Sequence, residues 1–161
     1  MVTVVAALLG VFAGAARGAD APAAWQGFAN AWIASHAMRV KGEAPKENRF
    51  SCEGDLNGDG KSDVVVVYTI EGVGGGNDWT QYATVLVAQP PGYSATTPKE
   101  VGGKSVRAVD SCTISDKVIE LALKEYAPAD ASCCPSKPGK ARYGFSAGKL
   151  VQAPTQTPAA K

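Results

Sequence analysis

The stretch "DLNGDGKSDVVVVY", residues 55–68, joins a loop crowded with carboxylates to an uninterrupted apolar run. Four valines followed by a tyrosine have the β-branched and aromatic composition of a strand. Because no polar residue alternates with the apolar ones, both faces of this strand have to be covered. We therefore place the run at the centre of a sheet, beneath a helix.

The segment "PAAWQGFANAWIASHAMRVK", residues 22–41, is the helix that the sequence predicts. Its apolar and aromatic residues recur at steps of three and four, which places them in one stripe. Gly42 and Pro45 end the helix. The stripe consists of Trp25, Phe28, Ala29, Trp32, His36 and Val40.

Beyond the helix the apolar period changes from 3.6 to 2, and short segments rich in Val, Ile, Thr and Tyr alternate with Gly, Pro and Asn clusters. Links as short as "SD" at 115–116 and "AG" at 147–148 join antiparallel neighbours. The sequence therefore predicts an α+β fold, an N-terminal helix packed on a mostly antiparallel meander sheet. The predicted strands are 49–54, 63–70, 79–88, 93–101, 105–114, 118–126, 141–146 and 150–152.

The loop before the valine run has the composition of a calcium site. Calcium takes six to eight oxygen ligands, and a loop that aims alternate side chains inward needs glycine at positions of positive φ, here Gly58 and Gly60. Magnesium and a metal-free Asn-Gly/Asp-Gly turn are the alternatives. The predicted calcium ligands are the side chains of Asp55, Asn57, Asp59 and Asp63 and the carbonyl of Lys61.

This loop resembles the calcium loops of integrin-type (FG-GAP) and VCBS repeats, in which D-x-D/N-x-D-G-x-x-D leads directly into a hydrophobic strand. An EF-hand would carry a glutamate at the twelfth position of the loop, where this chain has Val66. The resemblance implies a nine-residue calcium loop that braces the start of a strand. The ion is expected to be structural.

Residues 1–21 have the character of a secretory signal peptide. Their first sixteen residues are almost wholly apolar, and Ala19-Asp20-Ala21 has the small-x-small form of a cleavage site. We expect one domain over 22–152, a disordered tail over 153–161, and a periplasmic or secreted location. No cysteine lies near the cleavage site, so no stable membrane anchor is expected.

The net charge and the cysteines narrow the class of protein further. Sixteen basic and 15 acidic residues give a net charge of +1, which argues against nucleic acid as a partner. Four cysteines in an exported chain predict disulfides. Because neighbouring side chains on an extended backbone point apart, we expect Cys133 and Cys134 to bond separately to Cys52 and Cys112. The alternatives are a vicinal Cys133–Cys134 bond, with Cys52 bonded to Cys112, and a free, metal-binding or redox-active pair.

The runs "GDLNGDGKSDVVVVYTIEG", "VGGKSVRAV" and "EYAPADASCCPS" occur in this order. Together they resemble a group of uncharacterised exported bacterial proteins that share the acidic loop, a Gly-Gly-Lys turn and a D-x-x-C-C-P-S run. The resemblance implies a periplasmic or secreted domain. It brings no established activity.

The loop "EGVGGGNDW" is longer than a hairpin requires, and such loops often carry recognition. Asn77, Asp78 and Trp79 are therefore candidate partner-binding residues. The leading hypothesis is a calcium-stabilised, non-enzymatic binding domain for a protein or cell-wall ligand, in a narrower version an inhibitor or immunity protein. A metal-dependent hydrolase using Asp55 or Asp59, and a purely structural envelope protein, are the alternatives.

Overall fold

A computed structural model describes residues 24–73 and 75–153. The described chain forms one helix and a nine-stranded antiparallel sheet, which confirms the α+β prediction. The predicted signal peptide and residues 154–161 of the predicted tail lie outside the described residues. The elements are α1 Ala24–Val40, β1 Arg49–Gly54, β2 Asp63–Glu71, β3 Trp79–Gln89, β4 Gly92–Ala95, β5 Lys99–Gly103, β6 Arg107–Ser115, β7 Val118–Glu125, β8 Lys137–Ser146 and β9 Lys149–Gln152.

The strands follow one another as a meander in the order β1-β2-β3-β5-β6-β7-β8-β9, with β4 paired to β3 beside that path. The predicted strand 93–101 is in fact two strands, β4 and β5, which share the same edge of β3. Thr96 lies between them, where its hydroxyl accepts a hydrogen bond from Val85 N at 3.0 Å. Pro98 follows and has no N–H to give to a ladder, which favours a break here.

Strand β8 begins at Lys137, four residues before the predicted start at 141. Lys137 pairs with Glu125 and Pro138 with Lys124, so the ladder with β7 extends through a Pro-Gly segment. The prediction was wrong there because Pro138 and Gly139 are residues that sequence patterns assign to turns.

The valine run forms β2, which is buried on both faces as predicted. Val65 and Val67 pack inside the curled sheet, in a core shared with strands β3, β5, β6, β7 and β8. Val64 and Val66 pack on the opposite face, together with Tyr68 and Ile70, beneath α1. The single strand thus contributes to both cores.

The helix lies on the sheet through a face that overlaps the predicted stripe, since Ala29 and His36 are buried and Trp25 and Val40 pack against the same core. Its buried residues are Ala29, Ile33, His36 and Ala37. The large aromatic residues of the predicted stripe lie at the margin of this face, and Phe28 is 37% exposed. The prediction was wrong only in its centre, because it left out Ile33 and Ala37, which are buried, and included Phe28, which is exposed.

Candidate functional site

Strand β2 separates two ends of the sheet. It begins at Asp63, where the acidic loop 55–63 finishes, and ends at Glu71, where the glycine-rich loop 72–78 starts. At about 3.3 Å per residue, the strand holds these loops roughly 26 Å apart. We call the first the acidic end. The groove end comprises loop 72–78, turn 103–107 and loop 126–136.

At the acidic end, Asp55 bonds to the backbone of its own loop. Its two carboxylate oxygens accept hydrogen bonds from Gly58 N at 2.6 Å and from Gly60 N at 3.0 Å. Both glycines have positive φ, 84° and 78°, which supports their predicted role in curling the chain. The bond from Gly58 is the main cause that lowers the pKa of Asp55, so this carboxylate is held ionised.

Two further predicted ligands form similar short-range bonds. The side chain of Asn57 accepts from Asp59 N at 2.9 Å, and Asp59 accepts from Lys61 N at 2.9 Å. The Lys61 ammonium also lies 3.3 Å from the second Asp59 oxygen. The backbone bond from Lys61 is the main cause that lowers the pKa of Asp59. The loop is therefore compact, and the carboxylates of the half-buried Asp55 and the exposed Asp59 are in the charged form.

Asp63 differs from the other predicted ligands because it is fully buried. Its carboxylate accepts a hydrogen bond from Leu56 N at 3.0 Å and another from Ala88 N at 2.9 Å. It thereby fastens the loop to β2 and to the C-terminal end of β3. The sequence identified Asp63 as important, but this role as a backbone anchor was not predicted.

The charges of the loop are balanced by lysines. One is Lys61, and the other is Lys117. The Lys117 ammonium packs so closely on Gly58 that a Cβ added at Gly58 would lie 2.5 Å from Nζ. Within the part of the chain that the structure describes, no three His, Cys, Asp or Glu residues are arranged to hold a metal. The oxygen donors of the loop suit a hard cation in chemical type. Calcium remains a prediction.

At the groove end, a cavity of about 630 Å³ opens between the end of α1 and loop 72–78. All three predicted recognition residues lie on it. Its lining consists of Lys41, Gly42, Glu43, Glu71, Gly72, Gly76, Asn77, Asp78 and Trp79.

One wall of this groove joins the helix to β2. Glu43 and Glu71 exchange backbone hydrogen bonds of 2.9 and 2.7 Å, forming an isolated antiparallel bridge. Gly42 precedes the bridge, and a Cβ there would lie 2.5 Å from the Ile70 side chain and 2.7 Å from Glu71 O. The chain that leaves α1 can therefore approach β2 this closely only with glycine at position 42.

The opposite wall is the glycine-rich loop 72–78, here called the recognition loop because it carries the candidate residues Asn77 and Asp78. Contacts hold it at both sides. Gly72 N donates to Asp78 O at 2.8 Å, closing the loop on itself. From turn 103–107, the Lys104 ammonium donates to Asn77 O at 2.8 Å and lies 3.1 Å from the Asp78 carboxylate. Lys104 N also donates to Trp79 O at 3.0 Å. Asn77 and Asp78 are exposed, and Trp79 is half-buried.

Sequence reasoning missed four residues of the groove end, namely Lys41, Glu43, Glu71 and Lys104. The Gly-Gly-Lys turn was identified as a turn, which the structure confirms. Its position opposite Asn77 follows from the pairing of β3 with β5, which the sequence alone did not give.

The D-x-x-C-C-P-S run forms a clamped loop between β7 and β8. Asp130 accepts hydrogen bonds from Ala127 N at 2.7 Å, from Ser136 N at 2.8 Å and from the Ser136 hydroxyl at 2.8 Å. The bond from Ala127 is the main cause that lowers the pKa of Asp130. The first and last residues of the run thus hold its ends together, and the two cysteines lie between them.

The expected disulfide pairing was wrong, and the vicinal alternative is the observed one. Cys52 of β1 bonds to Cys112 of β6, with 5.7 Å between their Cα atoms, and Cys133 bonds to Cys134. Strands β1 and β6 are not neighbours in the sheet order, but the sheet curls until they meet. This curl brings Cys52 and Cys112 together, whereas the pair at 133–134 lies in an exposed loop at the groove end.

Tyr126 connects the clamped loop to the rest of the groove end. Its hydroxyl donates to Ser132 O at 2.6 Å and accepts from Ser105 N at 3.1 Å. Ser105 follows Lys104, which holds Asn77 and Asp78. A continuous series of contacts therefore joins the glycine-rich loop, the Gly-Gly-Lys turn and the cysteine run.

Comparisons of the chain with protein-family models, with curated proteins and with solved structures find no match. Among the described residues, no helix has both the length and the apolar character needed to cross a bilayer. The assignment of function therefore depends on the two ends of the sheet.

Proposed function

We propose that this chain is an exported, calcium-stabilised, non-enzymatic binding domain that recognises cell-wall glycan through the groove at the end of β2. The observation that carries the proposal is the convergence of Asn77, Asp78 and Trp79 with Glu43 and Glu71 on one cavity of about 630 Å³. Small-ligand sites are concave and carry convergent polar groups that fix the orientation of the ligand, and Trp79 adds an aromatic surface to this lining. Export is supported by the apolar N-terminal segment and by the two disulfides.

The chemistry of the lining favours a glycan over a protein. Carboxylates and an amide are acceptors and donors for sugar hydroxyls, and the half-buried Trp79 ring offers an apolar face. Protein interfaces are instead centred on several large apolar or aromatic anchors. The large exposed apolar residues of the described chain are spread over three places, with Phe28 and Met38 ten residues apart on α1, Val106 in a turn and Val151 on β9.

Calcium has a different place in this proposal. The predicted ligand oxygens belong to the acidic end, roughly 26 Å from the groove by the length of β2. An ion there stabilises the loop that precedes the central strand, because it offsets the repulsion among Asp55, Asp59 and Asp63. The lysine contacts of Lys61 and Lys117 would give way to the ion. The metal acts on folding and leaves recognition to the groove.

Co-sedimentation with purified cell-wall glycan tests the proposal. The double variant Asn77→Ala/Asp78→Ala removes exposed side chains, so its fold should be retained, and we expect glycan affinity at least tenfold below that of the wild type. Val151→Ala is the matched control, since Val151 is 53% exposed on β9 and does not line the groove. Equal retention of all three proteins on glycan would contradict groove recognition.

The same variants separate the glycan from a protein partner. If no protein binds glycan, but wild type and Val151→Ala capture one envelope protein that Asn77→Ala/Asp78→Ala does not, the groove is a binding site and the glycan assignment is wrong. Chelation of calcium should lower the melting temperature in every case without changing capture by folded protein.

A further inference from the structure

The second disulfide has features that the proposed binding function does not use. Cys133 and Cys134 are both exposed, and neither belongs to the two apolar cores of the described chain. Cys52 and Cys112, by contrast, are half-buried and pack against the core inside the curled sheet. Attack on a disulfide requires that a thiolate reach one of its sulfur atoms. The two disulfides therefore differ in access.

The loop that carries Cys133 and Cys134 is held in place by contacts that do not involve their sulfur atoms. Asp130 joins its two ends through three hydrogen bonds to Ala127 and Ser136. Tyr126 holds Ser132 O from the side, and Cys134 N donates to Ala131 O at 2.9 Å in a turn. None of these contacts is lost directly when the Cys133–Cys134 bond opens.

The bond between neighbouring residues also constrains the unfolded chain very little. A disulfide stabilises in proportion to the chain entropy that its closed loop removes, and a sequence separation of 1 encloses no intervening residue. We therefore expect the sheet and both cores to be retained when this bond is reduced. An exposed, preformed disulfide whose opening does not disturb the fold has the properties of a labile bond.

We propose that Cys133–Cys134 is a thiol–disulfide exchange site that takes a dithiol as its electron donor. A thiolate of the donor attacks one sulfur of the pair, the Cys133–Cys134 bond breaks, and an intermolecular disulfide forms while the other cysteine leaves as a thiolate. The second donor thiol loses its proton and attacks the donor sulfur of this mixed disulfide. The donor ends as a disulfide, having given two electrons and two protons to the pair, which ends as two thiols.

This site is separate from the groove lining and does not depend on glycan binding. The adjacent spacing differs from the C-x-x-C arrangement of dedicated oxidoreductases. Exchange requires only access and a leaving thiolate, both of which the exposed loop supplies. The donor can be a small dithiol or a dithiol on another exported protein, since both present the same chemistry.

The test is a reduction series on the full oxidised protein at pH 7. The protein is equilibrated with increasing dithiothreitol, alkylated and mapped by mass spectrometry, with the melting temperature followed in parallel. We expect Cys133 and Cys134 to be labelled at a dithiothreitol concentration at least tenfold below that needed for Cys52 and Cys112, with the fold retained. Simultaneous reduction of the two disulfides, or unfolding when the exposed pair opens, would overturn the proposal.

A trapping variant gives a second readout. Cys134→Ser leaves Cys133 as the only thiol of the pair, and we expect its thiolate to attack oxidised glutathione, form a mixed disulfide and release one glutathione, whereas Cys52–Cys112 stays intact. Failure of Cys133 to react in the folded protein would also overturn the proposal. The rates at which wild type is reduced by a C-x-x-C dithiol peptide and by dithiothreitol, compared at equal thiolate concentration, identify the donor. A faster reaction with the peptide assigns it to protein dithiols, and equal rates assign it to small ones.

Discussion

The acidic end and the groove end use polar side chains in opposite ways. At the acidic end, carboxylates accept hydrogen bonds from the backbone of their own loop. Asp55, for example, accepts one from Gly58 and one from Gly60. At the groove end, the loops bind one another through Lys104 and Tyr126, and this leaves Asn77 and Asp78 exposed beside a cavity. Polar groups that are satisfied within one loop stabilise that loop. Polar groups that are presented beside a cavity can serve a ligand.

The largest expected effect comes from the buried carboxylate of the acidic end. Asp63→Ala leaves the N–H groups of Leu56 and Ala88 without their acceptor, so we expect the free energy of unfolding to fall by about 3 kcal/mol. Urea denaturation measures this change. Asp78→Ala is the control at the groove end, where an exposed ion pair with Lys104 contributes no more than about 0.5 kcal/mol. If both variants lose the same free energy of unfolding, the carboxylate at the acidic end is no more important to the fold than the one at the groove end, which would contradict this comparison.

Calcium binding should have the next largest effect on the stability of the folded state. At a concentration ten times its dissociation constant, the ion stabilises the folded state by about 1.4 kcal/mol. This corresponds to a rise in melting temperature of roughly 5 °C for a domain of this size. Asp59→Asn should abolish the rise, because it removes an exposed carboxylate of the loop. A calcium titration that leaves the melting temperature of the wild type unchanged would show that the lysines alone neutralise the loop.

The helix between the two ends supplies a pH-dependent prediction. His36 is buried against Tyr68 and Tyr82, and its Nδ1 lies 2.8 Å from the Tyr68 hydroxyl. Burial, assisted by the Arg39 charge, lowers the pKa of His36 in the folded state. The unfolded chain then binds the proton more tightly than the folded protein does. Above about pH 6.5 His36 is neutral in both states and the stability of the fold is highest, and the free energy of unfolding decreases as the pH falls below that value.

Melting curves between pH 8 and pH 5 test this effect against a matched variant. His36→Gln keeps a hydrogen-bonding side chain but cannot titrate, so its stability should decline less over this range than that of the wild type. Identical pH profiles for the two proteins would mean that His36 does not control the attachment of α1.

The smallest effect on stability is expected at the groove end. Lys104→Ala removes the contacts that hold Asn77 and Asp78, all of which lie at the surface, so the free energy of unfolding should change by about 0.5 kcal/mol or less. Glycan affinity should nevertheless fall several-fold, because the recognition loop loses its support from turn 103–107. Unchanged affinity would show that the loop is positioned by its own Gly72–Asp78 hydrogen bond.

Local patterns predicted most of the strands. The valine run became a strand buried on both faces, and the predicted strand 118–126 formed as β7, whose alternate residues Ile119, Leu121 and Leu123 lie in the core. Such segments are predictable because neighbouring residues alone determine which faces are apolar. The helix face was predicted in part, since Ala29 and His36 are buried as expected, whereas the buried Ile33 and Ala37 were not in the predicted stripe.

Features that depend on the order of the strands could not be predicted. The Cys52–Cys112 bond requires the curl that brings β1 to β6, and Lys104 reaches Asn77 only because β5 pairs with β3. The sequence singled out the glycine-rich loop, the Gly-Gly-Lys turn and the cysteine run separately. Their meeting at one end of the sheet results from long-range pairing, for which the local sequence has no signal.

Amide hydrogen exchange with mass spectrometry tests the division between the two ends most directly. The wild type is measured alone, with calcium, with a cell-wall glycan fragment and with both. We predict that calcium protects loop 55–63 and leaves 71–79 unchanged, while glycan protects 71–79 and leaves 55–63 unchanged. Protection of loop 55–63 by glycan, or protection of neither segment by either addition, would contradict a brace at one end and a recognition site at the other.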